Sequence, residues 1–278
     1  MTAWQRRFLQ RTTDWLFTAI PRPVPDAERV SRARIIAHRG NTGLPAQPAE
    51  NSLEAFDACR DLGIHGIEFD IQWTRDGVPV VLHDADTARV CGAPGIAVGE
   101  IGFDALRARH PQIPSLAEVV SRYRDSLHLM IELKTETLSA RNVPKLLEVL
   151  GGLGPEADYH LLCLEPSALD LVRPIDPGAK IAVAEANTRE IIAALPRHSL
   201  TRIAGHYLLI TPAMRRRFAE QGIRYGVGMV PASNVLRREL ALGSHWQFTN
   251  HAARLARALR RMREIRRIAE PARGESGD

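Results

Sequence analysis

The sequence predicts an α/β protein folded as one closed (β/α)8 barrel, and three observations support this prediction. Its 278 residues are close to the roughly 250 residues of a typical barrel of this kind. From residue 34 to residue 250, short apolar runs alternate with amphipathic helical stretches, which is typical of a parallel sheet. The first run leads into His38-Arg39-Gly40-Asn41 and not into the G-x-G-x-x-G turn of many doubly wound sheets. We therefore expect a single TIM-type barrel, with a doubly wound sheet as the alternative.

Nine apolar runs are interpreted as strands. They are Arg34–His38, Gly66–Ile71, Val78–His83, Leu127–Leu133, His160–Leu164, Lys180–Ala184, Tyr207–Ile210, Arg224–Met229 and Trp246–Thr249.

Local signals between these strands predict helix ends and one turn. Residues 51–62 are expected to form a helix that Asn51 or Ser52 caps and Gly63 stops. Ser115-x-x-Glu118 is a capping box that opens another helix. Asp76-Gly77 predicts a two-residue hairpin loop, which would place Asp70 opposite His83.

The two ends of the chain are predicted to lie outside the barrel strands. Residues 1–33 are expected to form an amphipathic helix over residues 4–20 and a proline-rich connector, and residues 34–278 the barrel with a C-terminal helix over about 251–270. The N-terminal helix is expected to dock on the core or on a second copy of the chain. The alternative is peripheral contact with a membrane through residues 4–20, because tryptophan, phenylalanine and arginine suit an anionic lipid surface.

The distribution of charge argues against a nucleic-acid partner. The formal net charge is +5, but residues 1–34 and 251–278 each carry +4, so the body of the chain is mildly acidic. A nucleic-acid footprint is normally a basic face on the folded body. The three cysteines are too widely spaced for a zinc site, and with the lack of a signal peptide they favour a cytoplasmic protein, peripheral on the inner face of the membrane if it binds lipid at all.

Charged residues at the ends of the predicted strands indicate where the chemistry occurs. In barrel enzymes the active residues collect at the carboxyl ends of the strands. Glu68 and Asp70, two positions apart in one strand, project to the same side. With Glu132 they provide three hard oxygen donors, which suits one divalent cation, Mg²⁺ or Ca²⁺. A structural ion-pair network with Arg39 and Lys134 is the alternative for these carboxylates.

Two histidines are predicted to converge on the carboxylates. His38 ends the first strand and His83 the third. A pair of histidines beside a cation site and basic side chains suits acid and base catalysis on a phosphate ester. The residues leave open which histidine is the acid.

Seven motifs between residues 35 and 134 resemble those of the glycerophosphodiester phosphodiesterases. In chain order they are His38-Arg39-Gly40, Glu50-Asn51-Ser52, Glu68-x-Asp70, Thr74-x-Asp76-Gly77, His83-Asp84, Ile113-Pro114-Ser115-Leu116-x-Glu118 and Glu132-x-Lys134. The resemblance implies a TIM barrel that uses Mg²⁺ or Ca²⁺ and hydrolyses glycerophosphodiesters to an alcohol and glycerol 3-phosphate.

The resemblance also implies a role for each matching position. By this likeness His38 and His83 are the catalytic pair, Glu68, Asp70 and Glu132 bind the metal, Arg39 and Lys134 contact the phosphate, and Glu50 and Asn51 support the substrate site near His38.

The later strands depart from the family pattern. The family usually ends one strand in Trp-Thr-Val-Asn and the last in Thr-Asp, whereas this chain has residues 226–230 (GVGMV) and Thr249-Asn250-His251. Trp246 is a candidate to fill part of the missing wall. Two alternatives to the family reaction therefore stay open: a lysophospholipase D-like enzyme acting on lysolipids at a membrane, and a catalytically silent barrel that binds a phosphorylated ligand. The oligomeric state also stays open, a homo-oligomer being one alternative.

Overall fold

The computed structural model describes residues 17–92 and 94–269, and its centre is a closed barrel of eight parallel strands. The first strand pairs with the second on one side and with the last on the other, which closes the sheet. One additional strand, β3, pairs antiparallel with β2. The strands are β1 Ile35–His38, β2 Gly66–Trp73, β3 Pro79–Val81, β4 His128–Leu133, β5 Tyr159–Cys163, β6 Lys180–Ala184, β7 Arg202–His206, β8 Arg224–Gly228 and β9 Trp246–Thr249.

Helices surround the barrel and connect its strands. The α-helices are α1 Ala27–Ser31, α2 Leu53–Asp61, α3 Ala88–Cys91, α4 Phe103–Arg109, α5 Leu116–Tyr123, α6 Val143–Val149, α7 Thr188–Ala194, α8 Pro212–Glu220, α9 Ser233–Ala241 and α10 Ala252–Ala269. Short 3-10 helices lie at Val98–Glu100, Ala140–Asn142, Pro166–Asp170, Pro177–Ala179 and Leu195–His198. The predicted single (β/α)8 barrel with a C-terminal helix is confirmed. No helix within residues 17–92 and 94–269 is both long and apolar enough to cross a bilayer.

The strands separate two apolar layers because their side chains alternate between the faces of the sheet. One face packs against the helices and forms the larger core. The other face fills the interior of the barrel with a smaller cluster, formed by Ile36, Met130, Leu162, Ile181, Ala204, Trp246 and Phe248. This cluster closes the middle of the barrel, and the polar residues of β1, β2 and β4 lie beyond it toward the carboxyl ends.

The helix signals were interpreted correctly. Ser52 caps α2 by accepting a hydrogen bond from the Ala55 backbone N–H. Ser115 and Glu118 form both hydrogen bonds of a capping box at the start of α5. Capping satisfies backbone N–H groups that have no partner inside the helix, so it depends on sequence over only a few residues.

Two predictions about the strands were wrong. The seventh strand is Arg202–His206 and not Tyr207–Ile210. Tyr207 and Ile210 are buried in the outer core after the strand has ended, so their apolar character reflects burial without extended pairing.

The hairpin register also differs from its prediction by one residue. Trp73 pairs with Pro79, and the Leu82 backbone N–H donates to the Asp70 carbonyl at 3.1 Å, so Leu82 and not His83 lies opposite Asp70. The loop is wider than two residues, and within it the Asp76 carboxylate accepts hydrogen bonds from the Thr74 hydroxyl and the Phe103 backbone N–H.

The predicted N-terminal helix over residues 4–20 lies mostly outside the described residues, and its membrane contact stays a prediction. Of this predicted helix the structure describes residues 17–20, and residues 17–19 are helical. The ring of Phe17 meets Tyr207 edge-on, with centroids 6.1 Å apart, and the Arg238 guanidinium lies 5.3 Å from the Phe17 centroid. The Asn234 amide donates to the Thr18 carbonyl at 2.8 Å, so this segment is tied to α9.

Three histidines occupy the amino end of the barrel, below the apolar cluster. The rings of His65 and His128 stack with centroids 5.1 Å apart, and His128 Nε2 lies 2.8 Å from His160 Nδ1. His128 Nδ1 lies 3.1 Å from the Ala157 carbonyl, to which only a protonated nitrogen can donate. A neutral His128 therefore accepts at Nε2 from His160. Burial lowers the pKa of His65 to about 3, of His128 to about 4 and of His160 to about 2.

We predict that these histidines make the fold sensitive to acid. Histidine in the unfolded chain has a pKa of about 6.5, so below this pH the unfolded chain binds protons while the buried rings of the folded chain stay neutral. The stability that is present above pH 6.5 is therefore lost as the pH falls. His65 and His160 should each contribute a slope of up to about 1.4 kcal/mol per pH unit between roughly pH 5.5 and pH 4, and His128 a smaller slope toward pH 4, because its folded pKa is about 4. Urea unfolding across this range should show a smaller slope for His65→Gln than for the wild type, and an unchanged slope would contradict the prediction.

Candidate active site

The carboxyl ends of β1, β2 and β4 bring most of the predicted site residues together. His38 is the last residue of β1 and pairs in register with Glu68 of β2. Asp70 of β2 pairs with Glu132 of β4. Because paired residues of parallel strands face the same side, all four side chains point into the same end of the barrel.

Glu68, Asp70 and Glu132 form a carboxylate triad, with one oxygen of each within 4.8 Å of the others. Burial and the neighbouring carboxylates raise the pKa of Glu68 well above its usual value, and burial also raises the pKa of Glu132. Burial alone would raise the pKa of Asp70, but Lys134 and Arg39 more than offset it and lower that pKa. Three acids held this closely require a positive charge between or beside them.

Two basic side chains provide part of this charge. Lys134 Nζ lies 2.8 Å from Asp70 Oδ1 and also donates to Glu132 Oε1. Arg39 Nε lies 3.3 Å from Asp70 Oδ2, and the Arg39 backbone N–H donates to Glu68 Oε2 at 3.0 Å. The ion pairs considered as the structural alternative are therefore present.

These ion pairs nevertheless leave oxygen atoms without partners. Glu68 Oε1 and Asn51 Oδ1 are buried, and neither has a hydrogen-bond partner among the described residues. The Asn51 amide nitrogen donates to Asp70 Oδ2 at 2.9 Å, which directs Asn51 toward the triad. Buried acceptors without a donor are costly, and hard oxygen atoms are the ligands that Mg²⁺ and Ca²⁺ prefer. The residues present therefore fit a divalent cation.

His38 is oriented by a residue from the last strand. Its Nδ1 lies 2.8 Å from Asn250 Oδ1, and its Nε2 lies 3.9 Å from Glu68 Oε2. Burial and the nearby Arg39 lower the pKa of His38. Asn250 occupies the position where the family pattern has an aspartate. The sequence interpretation noted this departure but assigned Asn250 no role, because nothing local links it to His38.

His83 lies just beyond β3 and begins a chain of ion pairs. Its Nδ1 is 2.6 Å from Asp84 Oδ1, and Asp84 Oδ2 is 2.5 Å from Arg89 Nε. Arg89 in turn lies 2.6 Å from Glu50 Oε1, which also contacts Arg39 at 3.1 Å. This series of ion pairs thus links His83 with Arg39 on the other side of the site. Arg89 was not predicted as a site residue, although an arginine five residues after Asp84 is close enough in the sequence to pair with it.

A cavity of about 580 Å³ opens beside His38. Its lining combines Arg39, Glu50 and Asn250 with the loop that follows β1, which includes Leu44 and Pro45. Trp246, considered as a replacement wall residue, does not reach it. The Trp246 indole is buried with the interior cluster, 5.0 Å from the His160 ring, because it begins β9 at the opposite end of the barrel.

Residues 38–156 match the sequence profile of the Glycerophosphoryl diester phosphodiesterase family. This match confirms the family resemblance. The matched residues include every site position predicted from the sequence, from His38 to Lys134.

Individual relatives agree over shorter stretches. The glycerophosphocholine phosphodiesterase of Eremothecium gossypii is 46% identical over 56 residues, which cover 18% of this chain and 4% of that protein. The uncharacterized protein YqiK of Bacillus subtilis is 30% identical over 163 residues, 54% of this chain and 65% of that protein. The chain thus spans less than two thirds of the length of either relative.

A solved structure shares the fold over most of the chain. The Oleispira antarctica phosphodiesterase, solved in complex with the product sn-glycerol-3-phosphate, superposes with a TM-score of 0.69 at 21% identity. The superposition covers 82% of this chain and 96% of that one. At this identity the likeness concerns the barrel architecture.

We predict that Arg89 positions His83 and Glu50. If the chain hydrolyses a glycerophosphodiester, Arg89→Ala should lower kcat for it roughly 10-fold with a smaller change in KM, because outer residues that orient reacting groups commonly have effects of this size. Arg89→Lys, which keeps the charge but not the two-sided contact, should recover part of the loss. Arg141→Ala removes an exposed arginine elsewhere and is the control. A loss of thermal stability with unchanged kcat in Arg89→Ala would contradict a positioning role.

Proposed function

We propose that the protein hydrolyses glycerophosphodiesters to an alcohol and glycerol 3-phosphate. The observation that carries the proposal is the arrangement at the carboxyl end of the barrel, where a largely buried carboxylate triad lies beside His38, and where His83 follows β3, the strand that pairs with β2. Each histidine has its Nδ1 held by a different partner, which leaves Nε2 for chemistry. The family match over residues 38–156 supports the same reaction.

In this proposal the phosphate is bound jointly by the basic side chains and by a cation that the triad holds. Glu68, Asp70 and Glu132 would hold Mg²⁺ or Ca²⁺, with Asn51 directed at Asp70. The bound cation would neutralise charge on the phosphoryl oxygens. Arg39 and Lys134, which lie beside Asp70, would contact the same phosphate, as the resemblance implies, and the rigid strands that carry them would fix its orientation.

His38 is proposed as the general base. Its partner Asn250 is a neutral amide, and with Oδ1 toward the ring it accepts a hydrogen bond from Nδ1–H, which leaves the lone pair on Nε2. The buried, neutral ring can therefore take a proton from the attacking hydroxyl, whether this belongs to water or to the substrate's own glycerol.

His83 is proposed as the general acid. Its Nδ1 lies 2.6 Å from Asp84 Oδ1, and a ring nitrogen that faces a carboxylate must carry the hydrogen, so the ring is held with Nε2 directed away from Asp84. A protonated His83 can donate from Nε2 to the departing alkoxide, which is otherwise a poor leaving group. The two histidines thus differ in the charge of the residue that orients them.

We predict that removing the cation abolishes turnover. Dialysis against a chelator should stop release of glycerol 3-phosphate from glycerophosphocholine, and Mg²⁺ or Ca²⁺ should restore it. Asp70→Asn should lower kcat by at least roughly 100-fold, because the cation supplies several kcal/mol of charge stabilisation. Added cation should raise the Tm of the wild type and of the control Asp104→Asn, but not of Asp70→Asn. Full activity after chelation would disprove the metal-dependent reaction.

We predict that leaving-group reactivity distinguishes the two histidines. Replacing choline by p-nitrophenol in the substrate provides a leaving group that needs no proton. His83→Ala should therefore retain far more of its activity with the p-nitrophenyl ester than with glycerophosphocholine, whereas His38→Ala should be impaired equally with both. Preferential rescue of His38→Ala would reverse the assignment, and wild-type turnover by both variants would favour a different site.

The cavity beside His38 favours lysophospholipids as a second candidate substrate. Its volume of about 580 Å³ exceeds what a glycerol moiety needs, and Leu44, which is 45% exposed, provides apolar surface at its edge. Comparing kcat/KM for glycerophosphocholine and lysophosphatidylcholine tests this candidate. Leu44→Asp should lower only the lysolipid value. If the metal-loaded wild type turned over neither compound, the remaining candidate would be a catalytically silent barrel that binds a phosphorylated ligand.

A further inference from the structure

A basic cleft lies at the end of the barrel opposite the candidate active site. It has a volume of about 390 Å³ and is formed between the start of β1, the end of α2 and the helix α10. Arg34 directly precedes β1 and His65 directly precedes β2, so the cleft lies at the amino ends of the strands. We refer to the cleft and to its arginines, Arg32, Arg34, Arg260 and Arg263, as the basic cleft.

Most of the positive charge in the basic cleft is not neutralised by the protein. No aspartate or glutamate lines it. Arg32 pairs with Glu28 at 2.8 Å, whereas Arg34, Arg260 and Arg263 form no ion pair with any carboxylate in the part of the chain that the structure describes. Arg260 donates only to the Leu62 carbonyl, at 3.1 Å. Like charges that share a concave site repel one another unless an anion binds between them.

The surface next to the basic cleft is also basic. The helix α10 carries three further exposed arginines after its first turn, Arg257, Arg261 and Arg267, and Glu264 is its one acidic residue. Beyond Arg263 the apolar stripe of this helix leaves the core. Ile265 is 46% exposed and Ile268 is 79% exposed. Arginines mixed with exposed apolar side chains on one helix suit a lipid surface better than a polar anionic partner.

We propose that the basic cleft binds the phosphate group of an anionic phospholipid and thereby attaches the protein to a membrane surface. Guanidinium groups hold phosphate oxygens through paired hydrogen bonds as well as charge. Ile265 and Ile268 would enter the headgroup region beside the bound phosphate. This contact is separate from the predicted one through residues 4–20, and it does not depend on any catalytic activity.

Flotation of the full chain with vesicles tests the proposal. The wild type should float with phosphatidylcholine vesicles that contain phosphatidylglycerol and not with phosphatidylcholine alone. The double variant Arg34→Gln/Arg263→Gln should bind at least roughly 10-fold more weakly, because each arginine near an anionic membrane strengthens binding several-fold. Arg216→Gln/Arg217→Gln removes two exposed arginines from α8 and should bind as the wild type does.

Three outcomes would overturn the proposal. They are equal binding by the two double variants, equal binding of the wild type to both kinds of vesicle, and binding of inorganic phosphate in calorimetry without flotation. Ile265→Ser/Ile268→Ser provides a further measurement, because it should weaken flotation while leaving the arginines intact. A matching Tm for all variants establishes that each one folds.

Discussion

Mutual repulsion among Glu68, Asp70 and Glu132 is the constraint around which the upper half of the barrel is arranged. The three carboxylates come from two adjacent strands whose register is set by backbone hydrogen bonds, so they cannot move apart without opening the sheet. Lys134 and Arg39 are held against Asp70 by the same strands. The basic residues are therefore both counter-charges for the triad carboxylates and candidate ligands of the phosphate. The apolar cluster below them keeps this charge at one end of the barrel.

The sequence was informative wherever a residue's role depends on its own strand or turn. The i, i+2 spacing of Glu68 and Asp70 places both on one face of a strand whatever the rest of the fold. The capping box of α5 and the alternation of strands and helices are equally local, which is why the barrel, and the carboxylate triad at its carboxyl end, could be predicted. The exact hairpin register could not be predicted in the same way. The carboxylate of Asp76, which lies in the hairpin loop, accepts a hydrogen bond from the distant Phe103 backbone N–H, and no local sequence pattern indicates this contact.

The residues that orient the histidines could not be predicted for the same reason. Asn250 reaches His38 only because β9 pairs with β1 and closes the barrel. Arg89 joins Asp84 to Glu50, two residues that are 34 positions apart in the chain. Tyr207 and Ile210 illustrate the opposite error, in which strong local apolarity reflected burial after the strand had ended.

The contact between His38 and Asn250 ties the chemistry to the order in which the chain is synthesised. A ribosome releases the triad, Lys134 and both histidines long before residue 250, yet until β9 pairs with β1 the His38 ring lacks its contact with Asn250. A nascent or truncated chain would thus bring the carboxylates together before the His38 ring is oriented by Asn250. Pairing of the last strand with the first therefore both closes the barrel and completes the arrangement of side chains around His38.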